Sequence, residues 1–444
     1  MMLSHIFAFE WRTLRKTGSF WATLLIFPLL IGYSLYLGSE RSAQQQQTIQ
    51  MLSTADKAFY EEKQQQLHDI EGGASPPDVW WQNPANPLAL GEFREAGKHI
   101  FVEPKPLSAL AAGQLDILPY YGKVSMMEKQ PLRDNALENP FMQVAGSFDV
   151  AFVLVWLLPL FIILVGYNVL SSEREQGTYK LLQSQPLSMI RLLSYKLLFR
   201  LLVLLLIVAA ALLVWTSIFG ISLFNAGGAM LLLMLSLYVL FWFGLCLLLN
   251  LQSGSSAVNA VSLAGAWVAF LLLIPSVISI LAASLYPAPS RALWVTEQRA
   301  IEQAVQAESE QLFETWKAEH PEEIRADDAP GFYETWLQRF VMAEKRRELE
   351  REALQDFGQP ARNQAMLVSR LQWLSPPMLF QSWLERQAGN DAARLRELNE
   401  RMRVFQEEWN AFFFPRFREL DFFEASELHQ IPEPPVLPRR GSYN

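Results

Sequence analysis

The sequence predicts an α-helical integral membrane protein with five visible spans, a mixed external domain after the first and a mainly helical one after the fifth. Three observations carry that prediction. Residues 201 to 290 contain no Asp, Glu, Lys or Arg. A second uncharged run, of 23 residues, extends from Val150 to Ser172. Between the two lies a charged island, "SEREQGTYKLLQSQPLSMIRLLSYK", from Ser172 to Lys196. A bilayer accounts for this segregation. A spanning helix needs about 20 apolar residues, and a charge at its centre costs roughly 2.5–3.5 kcal/mol. The averages over 444 residues, 51% hydrophobic with a net charge of −8, conceal the pattern.

Residues 1–16 place Ile6, Phe9 and Leu14 beside Arg12, Arg15 and Lys16, a composition suited to a helix on the membrane surface. Span one covers 17–39. Its apolar core exceeds the roughly 7–15 residues of a signal peptide and no small-x-small cleavage site follows, so it is read as retained. Residues 40–149 hold "QQQQ", a polar helical stretch and Pro- and Gly-rich loops, which predict a small mixed domain. Span two covers 150–171 and the island 172–196. The long uncharged run breaks at "GISLFNAGG" and "LQSGSS", giving spans at 197–219, 229–250 and 257–284. Pro28, Pro159 and Pro275 lie inside spans one, two and five. They are predicted to bend them, with neighbouring helices satisfying the freed carbonyls.

Residues 286–444 read as helices. In 391–413, Leu395, Leu398, Met402, Phe405, Trp409 and Phe412 recur at steps of three and four, which puts them on one face. Asn390 or Asp391 is the expected N-cap. A helix over 291–318 stacks Trp294, Ile301, Val305, Leu312 and Trp316, and a densely charged one covers 331–356. Pro360 and the run Ser375-Pro376-Pro377 separate the rest. Basic residues decide the orientation: Arg12, Arg15 and Lys16, with those of the island, predict that both clusters face the cytoplasm and both long polar segments face outside.

Several chemistries find no support. The acidic balance argues against a nucleic-acid partner, and the single cysteine, Cys246, allows no disulfide within the chain. No G-x-x-x-x-G-K-[ST] phosphate loop, HExxH or GxSxG motif occurs. His5, His68, His99, His320 and His429 are scattered without metal-ligand spacing. The chain is therefore read as neither an enzyme nor a cofactor binder. The spans carry no acid or base that could relay protons, only modest polar groups such as Asn250 and Asn259, which weighs against an ion-coupled carrier.

The island is punctuated. Gly177 can break the helix leaving span two. Residues 178–185 can then form a short helix across the membrane surface with Thr178 as N-cap. Pro186 ends that piece, and Ser188 can cap the helix entering span three. A short exposed helix between two rods is a geometry for receiving force from a soluble partner. The plainer alternative is a basic anchor that only fixes topology.

The stretch from Glu138 to Arg200 resembles the second span and coupling loop of type-2 ABC transporter permeases, above all the subgroup with two large external insertions. The most specific part is "S-S-E-R-E-x-G-T", followed by "Q-P-L-S" and a lysine. The resemblance implies six spans per subunit, pairing with a second permease copy or a paralogue, and docking on an ABC ATP-binding subunit that carries the ATP and Mg. It assigns Glu173, Arg174, Glu175, Gly177, Thr178, Lys180 and Pro186 to the coupling loop. It also makes 1–16, with Arg12, Arg15 and Lys16, an interfacial helix approaching the ATPase. It places the chain in a bacterial inner membrane, surrounded by lipid, with both large domains periplasmic. No apolar run after residue 290 matches the sixth span, which leaves the C-terminus expected outside. The function implied is the permease of an ATP-driven exporter, with an amphipathic cargo expected from the uncharged route. Two others remain: a mechanical relay acting on periplasmic or outer-membrane proteins, and a membrane scaffold without an ATPase.

Overall fold

A computed structural model describes residues 2–113, 119–127, 148–179, 188–252, 254–289, 291–321 and 330–435. Helix α1, Met2–Leu14, precedes α2, Gly18–Glu71. No glycine or proline interrupts residues 40–71, so α2 continues past the predicted end of span one for 54 residues in all. At about 1.5 Å per residue it is roughly 80 Å long, whereas the hydrocarbon core is about 30 Å thick.

After α3, Pro87–Gly91, strand β1, Lys98–Phe101, pairs antiparallel with β2, Tyr121–Val124, with Lys98 opposite Val124. The second span runs over Val150–Glu175. It contains a wide turn at Val153–Leu157, then α4, Leu158–Gly166, and a short α5, Ser171–Glu175. Helices α6, Met189–Ile218, and α7, Ala226–Leu251, are the third and fourth spans. The fifth comprises α8, Ser256–Val268, a second wide turn at Ala269–Leu273, and α9, Ile274–Leu285. Ser188, Asn225 and Ser255 cap α6, α7 and α8 through their side-chain oxygens.

Both wide turns sit just before a proline. Pro159 and Pro275 lack the N–H that would bond the carbonyl four residues back, and the local widening removes the ring clash. Other elements supply the missing donors. Tyr238 donates its hydroxyl to the Val155 carbonyl at 2.7 Å, and Ser375 donates to that of Phe270 at 2.7 Å. Trp267 donates its indole N–H to the Trp156 carbonyl at 3.1 Å. The bent spans are thereby stitched to their neighbours.

Beyond the fifth span lie α10, Arg291–Ala307; α11, Ser309–Glu319; α12, Pro330–Leu371; α13, Pro376–Ala388; and α14, Ala392–Glu419. Three sequence expectations need correction. The helix expected over 291–318 breaks at Glu308, and the break moves the buried face from Leu312 to Phe313. Pro360 does not end α12, because it lies on a largely exposed length of helix where water can take the freed carbonyl. The stripe of α14 continues through Phe413, not Phe412, because 3.6 residues per turn favours a step of four after Trp409.

The two long polar segments share one core. Leu88, Leu90, Ile100 and Val124 pack with Trp336, Phe340, Phe405 and Trp409. Trp409 donates to the Gly91 carbonyl at 3.0 Å, and Gln406 to that of Ser125 at 3.2 Å. Two strands alone are marginal in water, and the apolar stripe of α14 covers them. A separate core fills the membrane bundle around Phe27, Leu158, Val208 and Trp242. Helix α2 threads both, contributing Ile31 and Leu35 to the bundle and Leu67 to the module.

The junction is tightly tied. Asn390 donates to the Ala111 carbonyl at 2.6 Å, and Asp149 accepts from the amides of Ala112 and Phe152, both at 2.7 Å. A Cβ on Gly38 would fall 2.0 Å from the Ala109 carbonyl oxygen, so α2 can approach this loop only as glycine. Helix α13, expected within the external domain, instead puts Phe380, Leu384 and Ala388 into the bundle core, with Phe380 stacked on Tyr238.

Candidate coupling site at the end of the bundle

The end of the bundle nearest the N-terminus is organised around the close of the second span. Helix α4 ends at Gly166, and the chain turns before α5. Those turns expose backbone groups that need partners inside a packed bundle. Asn250 on α7 accepts from the Leu170 amide at 3.1 Å and donates to the Gly166 carbonyl at 2.9 Å. Asn259 on α8 donates to the Tyr167 carbonyl at 3.2 Å. Arg200 on α6 donates to the Val165 carbonyl at 2.5 Å. Three spans thus hold the end of a fourth.

Four charges meet at the same place. Lys196 and Arg200 are four residues apart on α6, hence on one face. Glu10 reaches them from α1 and is 1% exposed. The Arg200 Nε and Nη2 both lie 3.0 Å from Glu10 Oε2. Lys196 Nζ lies 3.4 Å from Glu10 Oε1 and 2.8 Å from Glu173 Oε1. The Thr178 hydroxyl closes on the Glu173 carboxylate and donates to the Glu173 carbonyl at 3.1 Å. Two carboxylates and two cations balance, which is the condition for keeping such groups buried.

Glu175 turns the other way, accepting from the backbone N–H and hydroxyl of Ser256 at 2.7 and 2.9 Å. It therefore sits at the N-terminus of α8, where a negative charge is favoured. Ser171 and Ser256 share a hydrogen bond of 2.8 Å. Gly177, with φ of +77°, takes the left-handed conformation that ends this piece. Arg174 stacks over Tyr179, 4.9 Å from the ring centre.

The residues expected from sequence therefore divide. Glu173, Glu175, Gly177 and Thr178 stand together at this hub, with Arg174 on its edge. Lys180 and Pro186 lie outside the described residues. Arg12, Arg15 and Lys16 are exposed on and just after α1, with Arg15 stacked on Trp11, and take no part in the charge network. Sequence reasoning missed Glu10 and the pairing of Lys196 with Arg200. The signal was present: Glu10 is the lone acid in α1, and two cations entering a span at a four-residue spacing require counter-charge.

Among the described residues, five apolar helices long enough to cross a membrane, joined to a polar module and with a charged hub at one bundle end, define a multi-pass membrane protein. The family model for ABC-2 family transporter protein matches residues 4–384, and the chain belongs to that family. Membership makes it the membrane component of an ABC transporter and implies an ATP-binding partner subunit. No curated protein and no solved structure gives a match.

Proposed function

We propose that this chain is the permease subunit of an ATP-driven exporter in a bacterial inner membrane, with the hub on the cytoplasmic side. ATP and Mg belong to the partner subunit. The observation that carries this reading is the Glu10–Arg200–Lys196–Glu173 network. It joins the surface helix α1, the loop after span two and the start of span three, so a push on the loop after Glu175 reaches all of them together. Glu175 and Asn250 extend the same connection to spans five and four. The exposed Arg12, Arg15 and Lys16 lie at this end of the chain, in keeping with a cytoplasmic face. A second permease, identical or paralogous, would cover part of span five, whose apolar window is only 17% buried within the chain.

An amphipathic cargo suits the membrane route. A cavity of about 300 Å³ opens where the two wide turns meet α13. Val155, Trp156 and Leu271 line its apolar side, and Gln372, Gln381 and Glu385 its polar side.

The test is made on the permease reconstituted with its ATP-binding subunit. Lys196→Met should abolish cargo stimulation of ATP hydrolysis, and Lys196→Arg should retain most of it. Full stimulation in Lys196→Met would remove the hub from the coupling path.

A further inference from the structure

The polar module holds a second, larger cavity, of about 860 Å³, between α11, α12 and α14. That volume lies within the range of ligand sites. Leu312, Trp316, Phe340, Leu354 and Phe414 give it an apolar, aromatic floor. Asn410 also lines it, and both polar atoms of its side-chain amide are buried without a hydrogen-bond partner among the described residues. A buried amide without a partner in the protein is left to bond whatever fills the cavity. An amide offers a donor and an acceptor side by side, and the group that answers both is another amide, as in a peptide bond.

The rim has a sign. Six carboxylates and four cations line the cavity. The cations are largely engaged. Lys345 pairs with Glu348 at 2.7 Å, and Arg351 and Arg403 share Glu407 at 2.9 and 2.7 Å. Arg347 donates to the Ala343 carbonyl. Glu308, Glu319 and Glu344, all exposed, form no ion pair among the described residues. The excess field at the mouth is negative and favours a positively charged occupant.

We infer that this cavity is a peptide-binding site. It takes a short basic segment of a partner protein, with an apolar side chain on the aromatic floor and a backbone amide on Asn410. The site holds whichever way cargo moves through the bundle.

The experiment uses the full chain with its ATP-binding partner in lipid nanodiscs and reads fluorescence anisotropy of the dye-labelled peptide Arg-Leu-Phe-Leu-Arg, blocked at its C-terminus. Binding is expected to weaken with salt and to exceed that of Glu-Leu-Phe-Leu-Glu. Asn410→Leu should weaken it about tenfold while the thermal midpoint stays equal or rises, because the orphaned amide is gone. Glu344→Gln should weaken it and flatten the salt dependence. Equal affinity for the acidic peptide, or unchanged affinity in Asn410→Leu, overturns the assignment. So does binding of the amide-free cation rhodamine 6G with the same dependence on Asn410 and Glu344, which would make the site one for small amphiphiles.

Discussion

Glu10 is one carboxylate in contact with two cations, on a helix that carries no other acid. Removing one partner of a buried pair leaves the others uncompensated, at a cost of about 3–5 kcal/mol. Glu10→Gln should therefore lower the thermal midpoint of the purified protein sharply. Combined with Arg200→Met it should cost less than the two single changes added, because the residues share one network. Additive losses would show that the pair does not act as a unit. Glu385 behaves differently. Burial raises its carboxyl above the usual range, reinforced by Asp149 and Asp391 and opposed by a hydrogen bond from Gln381. The folded chain thus holds this proton more tightly than the unfolded one. The resulting stability is complete below the unfolded pKa of about 4.3 and is lost as pH rises through the raised folded value. Glu385→Gln should be more stable than wild type at neutral pH and should flatten that decline, read from thermal midpoints across pH.

Among the elements, α2 is the longest and the one that belongs to both cores. Its outer half is polar, yet nothing in the sequence from Glu40 to Glu71 breaks it, so the rod passes intact from bundle to module. Ala43→Pro, on an exposed face, should remove a helix bond at a cost of about 3 kcal/mol and loosen that link. Hydrogen exchange should rise around residue 43 while the buried turn at Ile31 and Leu35 stays protected. Equal protection throughout would mean the rod is held by its neighbours instead. Spans were legible in the sequence because a bilayer imposes a long uncharged run. The wide turns at 153–157 and 269–273 were only half legible: Pro159 and Pro275 announced a bend, but the donors that permit it, Tyr238, Trp267 and Ser375, come from elsewhere in the chain. The shared core of the two polar segments was not legible, because its partners lie up to some three hundred residues apart, as with Trp409 and Gly91, separated by 318 positions.

At the scale of the whole molecule, the hub, the bundle and the module form one connected body, with a charged joint at one end and a cleft-bearing module at the other. The loop residues Glu173, Glu175 and Thr178 could be picked out from the "SEREQGT" pattern. The roles of the two carboxylates could not, because each depends on a residue distant in sequence: Glu173 on Lys196 and, through it, Glu10, and Glu175 on Ser256. The Glu173 carboxylate points into the bundle and that of Glu175 bonds the start of α8, and both hold the loop in place, which leaves neighbouring exposed positions such as Gln176 to meet a partner. On the proposed function, the ATP-binding subunit grips the permease at this loop. The direct measurement is crosslinking in the assembled transporter, with Cys246→Ser as background and a photoreactive maleimide on Gln176→Cys. The expected result is a covalent adduct with the ATP-binding subunit, absent when the probe is moved to an exposed position in the module such as Ala393→Cys. An adduct to that subunit from position 393 and none from 176 would contradict it.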